Sequence, residues 1–118
     1  MLPLTFESEG FFFKDYTQLT EYECGIILDW RNDPDVRKKL GTGPVSYLDF
    51  YDLLEALKRD RTNRYFYVTM VYPIGCIEVN DLNNLDKATY SMVAPELFDK
   101  GYEVKVFNAL KKAVKDHQ

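Results

Sequence analysis

The segment from Ser91 to Tyr102 has the residue types of an anion-binding site. A β-prone stretch leads through a short loop to Gly101, and an apolar segment with helical periodicity follows it. Free backbone amides at a helix N-terminus, together with the positive end of the helix dipole, favour bound anions such as phosphates. Lys100 and Lys105 would add positive charge. The alternative is that Gly101 is only a turn residue, as in any strand–loop–helix connection.

The cysteine and histidine content argues against a metal site. The chain has two cysteines, Cys24 and Cys76, and one histidine, His117, and these residues do not have the spacing of zinc ligands. Both cysteines have apolar neighbours, which indicates small core residues in a reducing compartment rather than a disulfide framework. We therefore predict no metal ligands and a cytoplasmic location.

The overall composition indicates a folded domain that binds neither nucleic acid nor membranes. The 118 residues carry a net charge of −4, and 46% of them are hydrophobic. An acidic chain lacks the basic excess that neutralises nucleic-acid phosphates. The longest apolar stretch, residues 65–77, is too short to span a bilayer. We expect residues 1–118 to form a single domain.

Local periodicity and capping signals predict an α+β fold. The predicted strands cover residues 4–15 with a break at Gly10, 65–71, 74–79 and 88–93. The predicted helices cover about residues 21–31, 34–40, 46–60 and 101–114. Tyr72 and Pro73 are predicted to break the second strand from the third. The result is an antiparallel sheet with helices packed against it.

Two of the helices have recognisable start signals. Thr20 and Glu23 have the spacing of a capping box, and Ser46 and Asp49 resemble a second one. The first helix also has an apolar face, which we predict to be buried. The residues of this face are Tyr22, Ile26, Ile27 and Trp30.

Three segments, taken in order, resemble the GNAT superfamily of acyl-CoA-dependent N-acetyltransferases. Residues 28–38, which include Trp-Arg-Asn-Asp-Pro, are similar to the N-terminal helix pair of the members that acetylate nucleotide-linked amino sugars and of ribosomal-protein-type relatives. Residues 64–77 resemble a central hairpin of the family. Residues 88–102 resemble the next strand and the pyrophosphate loop. The order and spacing of these segments carry the resemblance.

The resemblance implies a GNAT-like fold with acetyl-CoA as the cofactor. In the family, the backbone of the strand before the loop pairs with the pantetheine arm, and the loop amides hold the pyrophosphate. The cofactor-binding residues implied in this sequence are Met92, Val93, Ala94, Lys100, Gly101 and Tyr102.

The resemblance also implies roles in catalysis and in acceptor binding. Glu78 is the candidate general base, and the alternative is an exposed strand carboxylate with no catalytic role. Arg31 and Asn32 are implied to face the acceptor, whereas the alternative for both is helix-end capping and surface pairing. The implied reaction is acetyl transfer from acetyl-CoA to a small amine such as an amino sugar.

Two features of the sequence depart from the family pattern. Phe98 stands where the loop of the family has Arg or Gln, and Glu103 stands where a small residue is expected, so that its charge would repel a diphosphate. In the family, further strands and a helix follow the last predicted helix, so we expect a sheet that lacks these C-terminal strands and exposes an edge. The alternative function is a catalytically inactive protein that has lost acetyl-CoA binding and docks a partner or a second copy through this edge.

Overall fold

Five strands pair in chain order to form an antiparallel sheet. The structure is a computed structural model, and it describes residues 2–60 and 62–117. The strands are β1 (Thr5–Ser8), β2 (Phe11–Asp15), β3 (Arg64–Met70), β4 (Tyr72–Val79) and β5 (Thr89–Val93). β5 lies at one edge of this sheet, as the sequence predicted.

Helices pack against both faces of the sheet. They are α1 (Glu21–Asn32), α2 (Pro34–Leu40), α3 (Tyr47–Arg59), α4 (Leu85–Ala88) and α5 (Tyr102–Asp116), with 3₁₀ turns at Tyr16–Gln18 and Pro95–Leu97. Within residues 2–60 and 62–117, no helix has the length and apolar character needed to cross a membrane.

Alternating side chains of β3 separate the two faces. Tyr67 packs against Trp30 of α1, with ring centroids 6.1 Å apart. Phe66 points to the other face, where its ring contacts Phe6 of β1. The same face of β1 meets α5, because the Ser8 hydroxyl donates to the Ala109 carbonyl at 2.7 Å. The antiparallel α+β architecture predicted from the sequence is therefore confirmed.

The predicted start signals of α1 and α3 are present. Thr20 Oγ1 accepts the Glu23 amide at 3.2 Å, and the Glu23 carboxylate accepts the Thr20 amide at 2.8 Å, which completes the capping box of α1. Ser46 Oγ accepts the Asp49 amide at 3.1 Å and caps α3. These contacts satisfy amides that the first helical turn leaves without a carbonyl partner.

The structure confirms one local prediction in the first half of the chain and corrects another. The predicted break at Gly10 is present, because Gly10 lies in the turn of a hairpin formed by β1 and β2. Tyr22 does not belong to the buried face of α1, because 78% of its surface is exposed. The helix is rotated so that Cys24 and Leu28, four residues apart, face the core instead.

The break between β3 and β4 also lies elsewhere than predicted. Val71 forms the turn with a positive φ of 64°, and Tyr72 and Pro73 are the first residues of β4. Pro73 lies opposite Thr69, next to the irregular pairing of β3 and β4 between Val68 and Thr69. Bulges are among the strand positions where proline is found.

Candidate active site

A cavity of about 170 Å³ opens where α1 and α2 meet β4 and β5. Cys76 and Glu78 point into it together, since side chains two residues apart on a strand share one face. Glu78 also lies opposite Tyr90 in the β4–β5 register. The cavity is lined by Arg31, Leu40, Thr42, Cys76, Glu78, Tyr90, Ser91 and Met92.

Glu78 and Arg31 form an ion pair inside this cavity. Arg31 Nη1 donates to Glu78 Oε1 at 3.0 Å. Only 24% of the Glu78 side chain and 25% of the Arg31 side chain are exposed. Glu78 is therefore not the exposed strand carboxylate that the sequence left as an alternative. Burial raises the pKa of the Glu78 carboxyl, and the nearby Arg31 charge opposes part of that increase.

Two further titratable groups at the cavity, the Cys76 thiol and the Tyr16 hydroxyl, are neutral near pH 7. Burial raises the pKa of the Cys76 thiol to about 12. Burial also raises the pKa of Tyr16, whose hydroxyl is hydrogen-bonded to Cys76. The sequence identified Cys76 as a small core residue, which its burial confirms. The sequence did not indicate the contact between Tyr16 and Cys76, because Tyr16 belongs to a 3₁₀ turn distant from β4 in the chain.

Arg31 and Asn32 are neighbours in sequence, but only Arg31 lines the cavity. The side chain of Asn32 binds the backbone of Val45 instead. Its Nδ2 donates to the Val45 carbonyl at 2.9 Å, and its Oδ1 accepts the Val45 amide at 2.7 Å. The predicted acceptor-facing role of Asn32 has no support in this geometry, because both ends of its amide hold the segment before α3.

The free edge of β5 borders the cavity and offers backbone groups to a ligand. The Ala94 amide donates to the Ile74 carbonyl at 2.9 Å. Because hydrogen-bonded and non-hydrogen-bonded residues alternate in an antiparallel pair, Met92 is also bonded to β4, whereas the backbone groups of Ser91 and Val93 face the open edge.

The three residues predicted to bind the pantetheine arm, Met92, Val93 and Ala94, therefore have different positions. Val93 has backbone groups at the open edge, Met92 contributes its side chain to the cavity, and the Ala94 amide is already bonded. Ser91 was not among the predicted cofactor-binding residues, although its two-residue spacing from Val93 in the sequence places it at the same edge of the strand.

The start of α5 has the amides of an anion site. Gly101 is the N-cap residue with a φ of 78°, and no side chain in the described part of the chain caps this end of the helix. A positive φ favours glycine, which has no Cβ. Tyr102 begins the helix, and Lys100 is exposed in the preceding loop. The predicted strand–loop–helix connection is thus present, with its first-turn amides left for water or a ligand.

Glu103 does not face this end of the helix as an unpaired charge. Lys39 of α2 donates to Glu103 Oε1 at 3.2 Å, and the Lys39 ammonium also lies 4.4 Å from the centre of the Phe98 ring. These residues and Ser91 to Val93 enclose a cavity of about 20 Å³ at the β5 edge. Lys39, which the sequence did not single out, thus carries a positive charge to the position where Phe98 replaces a basic residue.

On the opposite side of the β5 edge lies a groove of about 210 Å³ between β5 and α5. Thr89 and Ser91 line it from the strand, and Val104 and Phe107 line it from the helix. The cavity that contains Glu78, the strand edge and the start of α5 are thus contiguous. Together they combine a carboxylate of raised pKa with polar backbone suited to an extended anionic ligand.

No family model matches the chain, but it is similar to known acetyltransferases. A segment of 55 residues, 47% of this chain, is 31% identical to the acetyltransferase PseH of Campylobacter jejuni subsp. jejuni serotype O:23/36 (strain 81-176) and covers 35% of that protein. The chain therefore spans about a third of the length of this curated relative.

Two solved structures have a similar fold. The spermidine N-acetyltransferase from Vibrio cholerae, in complex with CoA and spermine, aligns with a TM-score of 0.69 and 21% identity over 88% of this chain and 63% of that one. The Campylobacter jejuni N-acetyltransferase PseH aligns with a TM-score of 0.57 and 18% identity over 96% of this chain and 71% of that one.

Proposed function

We propose that this chain, which has the fold of the GNAT acetyltransferases, transfers an acetyl group from acetyl-CoA to a small amine. The observation that carries the proposal is the position of Glu78, in a cavity directly beside the open backbone edge of β5. The CoA bound to the spermidine N-acetyltransferase supports acetyl-CoA as the donor. The likeness to the acetyltransferase PseH supports the same reaction.

The site would hold the donor along β5 and the acceptor beside Glu78. The edge backbone of Ser91 and Val93 would pair with the amides of the pantetheine arm. The free amides at Gly101 and Tyr102 would bind the diphosphate at the positive end of α5. The thioester would then lie over the cavity, within reach of an amine that enters from the side of α1.

Glu78 would act as the general base. It would accept a proton from the acceptor amine, whose nitrogen attacks the thioester carbonyl carbon. The new bond is an amide C–N bond, the bond that breaks is the thioester C–S bond, and the CoA thiolate leaves and takes up a proton from solvent. Because burial raises the pKa of Glu78, it is a stronger base than an exposed carboxylate.

The lining of the cavity favours a hydroxylated acceptor such as an amino sugar. Thr42 and Tyr90 line the cavity of Glu78 with hydroxyl-bearing side chains. Hydroxyls can donate to and accept from the hydroxyls of a sugar, so a polar ring would lose little hydrogen bonding on entry. A volume of about 170 Å³ is small, which favours a compact amine over an extended polyamine.

Glu78→Gln tests this function directly. We expect the variant to bind acetyl-CoA like the unmodified chain and to lose about 10²–10⁴-fold in kcat with an amino-sugar acceptor, since the amide cannot take the proton. Release of CoA thiol measures the reaction, and isothermal titration measures binding. Glu55→Gln, an exposed carboxylate of α3, is the matched control. Absence of acetyl-CoA binding at millimolar cofactor would contradict the proposal.

The second candidate function is docking of a protein partner or a second copy at the β5 edge. The observation that favours it is that, among the described residues, β5 pairs with β4 on one side only, so its other side presents backbone donors and acceptors. Light scattering at high protein concentration tests assembly of copies. A strictly monomeric mass would contradict self-assembly, and acetyl-CoA turnover would contradict a catalytically inactive protein.

A further inference from the structure

The two carboxylate oxygens of Glu78 have different surroundings. Oε1 accepts the hydrogen bond from Arg31 Nη1 at 3.0 Å, which leaves Oε2 as the oxygen for a proton from the acceptor. Arg31 lies in the last turn of α1, and Glu78 lies in β4, 47 positions later in the chain. A contact between two packed elements holds the carboxylate in one orientation more firmly than a contact to a loop.

The groups that face Glu78 from the surrounding elements include a single cation among the described residues that line the cavity. Tyr65 of β3 and Tyr90 of β5 flank Glu78 in the sheet register, and Cys76 precedes it on the same face of β4. Tyr16 approaches from its 3₁₀ turn. Burial raises the pKa of Tyr16, Tyr65 and Cys76, so these groups are neutral near pH 7. The charge that Glu78 meets in the cavity is therefore that of Arg31.

Arg31 is poorly placed to bind the acceptor by itself. Its Nη1 is occupied by Glu78, and its Nε is buried with no hydrogen-bond partner among the described residues. A buried donor without a partner carries a desolvation cost that a loosely held surface arginine would avoid by turning outward. Arg31 is thus kept in place by the contact with Glu78.

We propose that Arg31 is a positioning residue, which orients the Glu78 carboxylate and keeps it ionised for proton acceptance. This inference rests on the proposed function, in which Glu78 is the base. It also differs from the role implied by the sequence, in which Arg31 faced the acceptor. Arg31 acts through Glu78 and touches neither the thioester nor the amine.

The proposal predicts a change in the pH profile that a purely structural role would not cause. A general base works in its unprotonated form, so the rate falls as the pH drops through its pKa. An opposite charge at this distance lowers the pKa of a carboxylate by about 1–3 units. Removing the charge in Arg31→Met should therefore move the acid limb of kcat/KM upward by about 1–3 pH units.

Arg31→Lys is the conservative variant, because it keeps the charge but loses the rigid guanidinium fork. We expect the acid limb of its kcat/KM profile to lie close to that of the unmodified chain, and we expect its kcat to be reduced. Lys112→Met removes a cation of an exposed ion pair on α5 and is the control for a generic loss of positive charge. A pH profile of Arg31→Met with an unchanged acid limb would overturn the proposal, whatever the loss in rate.

A direct titration separates this inference from the proposed function. The side-chain carboxyl carbon of Glu78, labelled with ¹³C and assigned through Glu78→Gln, reports its ionisation by NMR without any substrate. A higher pKa of Glu78 in Arg31→Met, and a smaller increase in Arg31→Lys, would support the proposal even if the chain does not acetylate amines. A titration unchanged in both variants would overturn it even if the chain is an active acetyltransferase. If Arg31→Met does not fold, Arg31→Lys and Arg31→Gln give the same comparison.

Discussion

Gly75 lies opposite Val93 in the β4–β5 register, where the backbones of the two strands approach closely. A Cβ atom at this position would overlap the carbonyl oxygen of Met92 and lie 2.9 Å from Val93 Cα. Both contacts are with backbone, which cannot rotate away as a flexible side chain can. Because Met92 and Val93 border the candidate site, a side chain at position 75 would displace backbone at that site.

Gly75→Ala should therefore destabilise the fold and disturb the site. We expect a loss of about 1–3 kcal/mol in the free energy of unfolding, the usual cost of overpacking, together with weaker binding of acetyl-CoA. Denaturant unfolding and isothermal titration measure the two effects. Gly25→Ala in α1 is the matched control, since a Cβ there meets nothing within 4 Å and alanine favours the helix. Equal stability of the two variants would contradict the close approach.

Among the elements, α2 and α5 are joined across the edge of β5 by one ion pair. Lys39 lies in the last turn of α2, and Glu103 lies in the first turn of α5. Both residues line a small cavity with Ser91 and Val93, whose backbone groups face the edge of β5. Glu103 was expected to repel a diphosphate, and in the structure its carboxylate accepts a hydrogen bond from the Lys39 ammonium. The pair is partly exposed, so its effect on affinity is modest.

Charge substitutions in this pair should change cofactor affinity in opposite directions. Glu103→Gln removes a negative charge near the proposed diphosphate site and releases Lys39, so we expect CoA to bind about 3–10-fold more tightly. Lys39→Gln leaves Glu103 unpaired and should weaken binding by a similar factor. Isothermal titration at low and high salt measures both, and the difference should shrink at high salt. Tighter binding in both variants would instead mean that the pair acts as a steric barrier.

Across the whole molecule, Arg64 ties the N-terminal segment to the sheet. Its Nε donates to Asp15 Oδ2 at 2.7 Å, and its terminal nitrogens donate to the carbonyls of Leu2 and Pro3, each at 3.1 Å. Only 11% of the Arg64 side chain and 6% of the Asp15 side chain are exposed. One guanidinium thus connects β2, β3 and the chain before β1, and Arg64 does not line the cavity of Glu78.

Arg64→Met should lower the stability of the fold without a direct effect on the site. Removing one partner of a buried ion pair leaves the Asp15 carboxylate uncompensated, which costs about 3–5 kcal/mol. Denaturant unfolding measures the loss, and the affinity for acetyl-CoA of the remaining folded protein should be unchanged. Lys112→Met breaks an exposed pair and should change stability far less. A stability close to that of the unmodified chain would contradict the role of Arg64.

Short-range signals in the amino-acid sequence account for the parts of the molecule that it predicts correctly. The capping box of Thr20 and Glu23, the start of α5 at Gly101 and the alternation of β5 all depend on residues within a few positions of one another. The same is true of the strand–loop–helix connection that marks a candidate anion site. Backbone geometry and hydrogen bonding act over this range, so residue type and spacing suffice.

Contacts between segments that are distant in the chain determine the features of the site that the amino-acid sequence did not predict. Arg31 and Glu78 are 47 positions apart, Lys39 and Glu103 are 64 apart, and Asp15 and Arg64 are 49 apart. No periodicity encodes such pairs, because they depend on how the sheet stacks its strands and on which face each helix covers. The amino-acid sequence therefore indicated the fold and named Glu78 as a candidate base. The burial of Glu78, its pairing with Arg31 and the neutralisation of Glu103 follow from the packing of α1, α2 and α5 around β4 and β5.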